Sequence, residues 1–292
     1  GKINTDAIDN SAGVDCSDHE VNIKILLDRL VVEGVLDQDA RDAVLVEMTD
    51  EVSALVLADN RTQNALLGVG RAHAPGMVRV HRRFVADLET RRGIDRQLEV
   101  LPDKAGFAAL ESAGQGLTGP ELATLVAHAK LDLHARVLAS DLPDTSAFSS
   151  RLPEYFPRPL RERFPEAIAD HPLRREILTT LLVNETVDAA GMTYAFRMED
   201  ELGASPDDSV RAFSVVTAVF DLPELWERLS SPQIPTAVSD RVVLVSRRLL
   251  DRAARWFLTN RPQPLAVGST ITRFAAPVRA LRGRLPELLV GR

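Results

Sequence analysis

Asp9-Asn10-Ser11-Ala12-Gly13-Val14-Asp15-Cys16-Ser17-Asp18-His19-Glu20-Val21-Asn22-Ile23-Lys24-Ile25-Leu26-Leu27 leads from a run of small residues into an apolar segment. Ser17 suits a helix N-cap, and Glu20 three residues later completes a Ser-x-x-Glu capping box ahead of Val21, Ile23, Ile25, Leu26 and Leu27. The spacing predicts a turn through Asn10-Ser11-Ala12-Gly13 and a helix from about Asp18 to Val32, stopped by Gly34. The N–H groups at such a helix start, beside a serine hydroxyl, make a seat for a carboxylate or phosphate. Most capping boxes, however, bind nothing.

Away from this segment the pattern stays helical, and the expected fold class is all-α. Helices are expected over Asp39–Met48, from a Thr49 cap to Gly68, and from Met77 to Arg92 before Gly93. Ala74-Pro75-Gly76 reads as the first firm break, giving expected domains 1–74 and 75–292. A short helix should precede Pro102. Thr118-Gly119-Pro120-Glu121 is a second capping box, opening a helix to about Ala139. Prolines at 143, 153, 157, 159 and 165 predict an irregular connector or strap, whose aromatic residues argue against a floppy linker. Helical signals return from Pro172 to Ala190 and onward to Gly203, with new starts at Ser205 and Asp221. Pro235 opens a long helix to about Asn260, where Val238, Val242, Val245, Leu249, Ala253 and Trp256 step by threes and fours as a buried seam would. A last helix should run from Ser269 to Leu281 and kink at Pro277. No alternating strand pattern occurs, apart from a strand end read near Ile3 and Ile8.

The 292 residues suffice for one large or two ordinary domains, and 45% apolar content supplies a core. No apolar run approaches 18 residues, so no membrane span is expected. A single cysteine, Cys16, forbids an intramolecular disulfide and suits a reducing cytoplasm. The start at Gly1-Lys2, without methionine, fits a fragment or processed product. Arg71, His73, Arg79, His81, Arg82, Arg83, Arg91 and Arg92 form the best candidate for a phosphate-binding face. Asp87, Glu89 and Asp95 interleave with them and the net charge is −7, so no nucleic-acid partner is expected. Residues 1–59 carry 14 acids against four bases, while 240–292 carry 11 arginines against three acids; solvated faces are the expected reason. Asp15, Asp18, His19 and Glu20 place three acids and a histidine at the expected helix start, where acids complement the dipole. Their spacing is not that of a zinc site, so no metal is expected there. Gly68-Val69-Gly70 follows no strand and is no dinucleotide loop.

The opening segment resembles the last active-site motif of glutamate dehydrogenases, Asn-Ala-Gly-Gly-Val-x-Val-Ser-Tyr-Phe-Glu. Asn10, Gly13, Val14, Ser17 and Glu20 fall in register with it; Ala12 replaces its first glycine, and Asp18-His19 its aromatic pair. The run Ile3–Ile25 and the stretch Leu182-Val183-Asn184-Glu185-Thr186-Val187-Asp188-Ala189-Ala190-Gly191-Met192-Thr193 are similar to the large-subunit bacterial NAD-specific branch. That resemblance implies the C-terminal portion of such an enzyme: the last edge of a Rossmann-type nucleotide-binding domain, then a bundle-like helical domain. It implies oxidative deamination of L-glutamate to 2-oxoglutarate and ammonia, with Ser17 donating to the substrate carboxylate and Asn10 and Gly13 beside NAD. In the family the glycine fingerprint and catalytic lysine lie upstream of this motif. NAD would thus be held mainly by residues outside this chain, and the chain alone is expected to be inactive, with no catalytic residue of its own. A homo-oligomer, a tetramer by the same resemblance, is expected. The alternative is a helical oligomerisation or regulatory module without chemistry.

Overall fold

In the computed structural model residues 3–231, 233–288 and 290 are described, save the side chains of Ser11 and Pro286. The chain divides into two compact units, residues 1–184 and 185–292. Both are helical, with no strand among the described residues.

The first unit begins with the single turn α1 (Asp6–Asp9), followed by α2 (Ser11–Val32) and the 55-residue α3 (Gln38–Arg92). Ile8, expected near a strand end, lies in α1 and is buried, anchoring that turn where α1 meets α3. Glycine is needed at 34 and 93, where φ values of 71° and 67° turn the chain out of α2 and α3. Asp37 caps α3 by accepting from the Ala40 N–H at 2.7 Å. Thr49 caps nothing: it lies inside α3, and its hydroxyl donates to the Leu45 carbonyl.

The break expected at Ala74-Pro75-Gly76 does not occur, because α3 runs through Pro75. Proline inside a helix costs ~3 kcal/mol. Against that, Leu66, Leu67, Val69, Val78, Phe84, Val85 and Leu88 are all buried on the two sides of it, each contributing roughly 1.5–3 kcal/mol. Burial wins. α4 (Lys104–Ser112) and α5 (Gly119–Leu138) supply part of the surface that α3 packs on. Their connecting loop closes onto the proline site, where a Cβ on Gly116 would lie 2.2 Å from the Ala74 carbonyl carbon. Before α4, the expected short helix is a run of turns with Val100 at φ 54°. The second capping box is as expected: Glu121 Oε2 accepts from the Thr118 N–H at 2.6 Å and from its hydroxyl at 2.7 Å.

The proline-rich stretch is a string of short pieces: a 3-10 turn Leu142–Asp144, α6 (Ser146–Ser149), a second 3-10 turn Leu152–Tyr155, α7 (Arg158–Arg163) and α8 (Pro165–Ala169). It is a packed strap, since Phe148, Leu152, Tyr155, Phe156, Leu160 and Ile168 are all buried. α8 meets α2, and α7 meets α3.

α9 (Arg174–Ala190) leads into the second unit, which holds α10 (Tyr194–Leu202), α11 (Pro206–Val219), α12 (Leu222–Leu229), α13 (Thr236–Asn260) and α14 (Val267–Leu288). α11 buries Val210, Ala212, Phe213, Val215, Val216 and Val219, and α10, α12, α13 and α14 all pack on it. Ser209, Arg211 and Thr217 are buried on it as well, and a helix buried on every side belongs at the centre of a core. Arg247 closes the end of α9: its Nε donates to the Ala189 carbonyl at 2.7 Å and its Nη2 to the Asp188 carbonyl at 3.0 Å.

Four of the six positions in the seam expected on α13 face outward, while Val242 and Ala253 are half-buried. Val238, Val245, Leu249 and Trp256 are 40%, 58%, 39% and 45% exposed, and Ser246, Leu250, Ala254 and Phe257 are buried instead. One residue rotates a helix face by about 100°, and two apolar stripes lie one position apart here. Partners outside the helix choose between them: the Trp226 indole donates to Ser246 Oγ at 2.9 Å, and Phe257 packs edge-on to Phe274 at 5.2 Å. No helix among the described residues is long and apolar enough to cross a membrane.

Candidate functional site

The expected turn at Asn10–Gly13 is helical. Gly13 and Val14 N–H groups both donate to the Asn10 carbonyl, at 3.0 and 2.9 Å, so α2 starts at Ser11. Ser17 is therefore interior to α2, and its capping box does not form; Glu20 pairs with Lys24 instead. The cause is upstream anchoring. Asn4 Nδ2 donates to Asp9 Oδ1 at 3.0 Å and to Asn64 Oδ1 of α3 at 2.9 Å, so the chain is already seated when it reaches Asn10.

Moving the helix start brings the three candidate residues together. Asn10, Gly13 and Ser17 are spaced by three and four, which places them on one helix face, and all three are exposed. Asn10 lies over Gly13 so closely that a methyl group at 13 would come within 2.6 Å of its Oδ1. The face thus presents a carboxamide with donors and acceptors, a strip without side chain and a hydroxyl. Such a set can both donate and accept hydrogen bonds.

The opposite face of α2 turns inward onto the strap. Tyr155 stacks on His19 at 4.4 Å between ring centroids. Its hydroxyl donates to Asp18 Oδ2 at 2.7 Å and accepts from Asn22 Nδ2 at 2.8 Å. Burial, then the bond to Asp18, raises the pKa of this phenol well above the ordinary tyrosine range. The Leu173 N–H donates to His171 Nδ1 at 3.0 Å, so Nε2 carries the proton toward the Asn22 carbonyl at 3.1 Å. Burial holds both His19 and His171 below the ordinary histidine pKa, and hence neutral. Sequence patterns pointed to aromatic residues in the strap; nothing local identified Tyr155 and His171 as partners of α2.

The basic run at 71–92 is partly neutralised where it folds. Arg79 pairs with Glu111 at 2.5 Å, Arg91 with Asp87 and with Asp132 at 3.1 Å, and His81 is buried.

Residues 114–292, well over half of the chain, match the family model described as glutamate dehydrogenase, C-terminal. The chain belongs to that family. Residues 1–70, which carry Asn10, Gly13 and Ser17, match the model of the bacterial NAD-glutamate dehydrogenase catalytic domain. The chain is 55% identical over 291 residues to the NAD-specific glutamate dehydrogenase of Mycobacterium tuberculosis. It is 39% identical over 293 residues to the protein of that name from Pseudomonas aeruginosa, and 38% over 292 to that from Halomonas elongata. Each comparison covers 99–100% of this chain but only 18% of the relative, so the chain spans under a fifth of the curated relatives it matches.

Proposed function

We propose that this chain is the C-terminal part of an NAD-dependent glutamate dehydrogenase that deaminates L-glutamate oxidatively to 2-oxoglutarate and ammonia. The observation that carries this is 55% identity along the whole chain to a protein named NAD-specific glutamate dehydrogenase. NAD, when bound, would supply the hydride acceptor for this oxidation. Ser17 donates a hydrogen bond to the substrate side-chain carboxylate, and Asn10, with Gly13 below it, faces the nicotinamide ribose. NAD is otherwise held by residues outside this chain.

Residues 1–74 complete the catalytic region as the last edge of a Rossmann-type domain, and 75–292 form a helical domain for assembly or regulation. Within residues 185–292, Arg197 pairs with Asp251 at 2.6 Å, and Arg255 with Glu201 at 2.7 Å and Asp251 at 2.8 Å. The whole protein works in the cytoplasm as a homo-oligomer.

The test is glutamate-dependent NAD reduction, followed by absorbance, in the whole protein and in the 292-residue chain. Turnover by the whole protein alone is expected. A whole protein inert toward glutamate, or saturable turnover by the chain alone, would overturn the assignment.

A further inference from the structure

Asp15 and His19, four apart on α2, share the inward face. Asp59 of α3 meets them there: one oxygen of each carboxylate and one ring nitrogen of His19 lie within 4.8 Å of one another. His19 is only 4% exposed, and its Nδ1 has no hydrogen-bond partner; Asp15 Oδ2 is buried and likewise unpartnered. Leaving a buried polar atom unsatisfied is unfavourable, and two carboxylates side by side add repulsion. Burial first, then Asp59 and Asp18, pushes the Asp15 carboxyl up to about 6, with the Lys130 ammonium of α5 acting the other way. Burial keeps the His19 imidazole neutral, the state in which it ligates a metal.

We propose that Asp15, His19 and Asp59 form a binding site for a divalent transition-metal cation of the zinc class. The cation would give His19 and Asp15 the partner they lack and neutralise the facing carboxylates. One imidazole with two carboxylates is a donor set for zinc, cobalt or manganese, whereas magnesium and calcium favour oxygen alone. Ligands at about 2.0–2.2 Å from a tetrahedral ion stand roughly 3.4 Å apart, so side-chain rotation must draw these three inward by about an ångström. Three protein ligands leave a position open for water. Asp18 and Glu20 are no part of the site, being engaged with Tyr155 and Lys24. The site depends only on these side chains, whatever reaction the whole protein performs, and it would clip α2 to α3.

The 292-residue chain is titrated at pH 7.5 with Zn²⁺ by calorimetry and with Co²⁺ by visible absorption. One equivalent of Zn²⁺ should bind, raising the unfolding midpoint, and bound Co²⁺ should lose its hexaaqua spectrum. Asp59→Asn, almost isosteric, should weaken binding at least about tenfold and abolish the midpoint shift while far-UV circular dichroism stays unchanged. His19→Gln should do the same. Binding should fade between pH 7 and 5 as Asp15 takes back its proton. Absence of saturable binding at several-fold molar excess overturns the proposal, as does a hexaaqua-like Co²⁺ spectrum. A one-equivalent site that survives Asp59→Asn is adventitious and overturns it too. Should His19→Gln not fold, Asp59→Asn and the wild-type Co²⁺ spectrum decide the matter.

Discussion

Tyr155 donates a 2.7 Å hydrogen bond to Asp18 across 137 residues of sequence, and this bond pins the proline-rich strap to α2. The same hydroxyl accepts from the buried Asn22, so one oxygen satisfies two polar partners. Tyr155→Phe leaves the ring stack on His19 in place but strands one N–H of the Asn22 amide, whose other contact is a 3.4 Å bond to Asp18 Oδ1. Because a buried group left unsatisfied costs about 1–3 kcal/mol, urea denaturation should show a loss of that size. A midpoint equal to wild type would mean that the hydroxyl contributes no net stability.

His81 should make the fold acid-sensitive. It is buried inside α3 with no partner for Nδ1, and burial lowers its pKa from 6.5 to about 4. A depressed folded-state pKa means stability that is complete above 6.5 and is lost as pH falls from 6.5 toward 4, since the unfolded chain takes up the proton first. Between pH 7.5 and 5 the loss comes to about 2 kcal/mol. Replacing the imidazole in His81→Leu should flatten that part of the stability–pH curve, measured by urea unfolding at each pH. An unchanged slope would assign the acid sensitivity to other groups.

On α13 two neighbouring leucines should behave differently. Leu250 is 1% exposed and Leu249 39%. Leu250→Ala should therefore cost about 2–5 kcal/mol by opening a cavity, while Leu249→Ala should cost well under that. Equal losses would show that a partner covers the outward stripe.

Ser17→Ala, made in the whole protein, should lower kcat/KM for glutamate by roughly ten- to hundred-fold, the equivalent of about 1.5–3 kcal/mol, with little change in NAD affinity. Since Ser17 lies inside α2 and caps nothing, alanine there favours the helix by a few tenths of a kcal/mol. Activity and stability should consequently move in opposite directions. Unaltered kinetics would remove Ser17 from the site.

Gly13→Ala tests the neighbouring contact. A methyl group 2.6 Å from Asn10 Oδ1 must displace that carboxamide, so the KM for NAD should rise several-fold in the whole protein while kcat for bound substrate changes less. An unaffected KM would show that Asn10 does not face the cofactor.

Local chemistry in the sequence was enough for much of this protein. The caps at Thr118 and Ser205, the left-handed glycines at 93 and 203 and the starts at Asp221 and Pro235 are settled by side chains within a few residues, so helix identity and most boundaries could be read directly. So could the candidates Asn10, Gly13 and Ser17, from their motif. Wherever two local solutions were close in energy, tertiary contacts decided. Pro75 stays helical because apolar burial on both sides outweighs the hydrogen bond that proline loses. α13 turns Leu250 rather than Leu249 inward because Ser246 and Phe257 find partners on Trp226 and Phe274. Asp59 meets Asp15 and His19 only once α3 packs on α2, and Tyr155 reaches Asp18 only when the strap closes. Periodicity records which residues share a face of one helix; the identity of the surface opposite is a property of the packed chain.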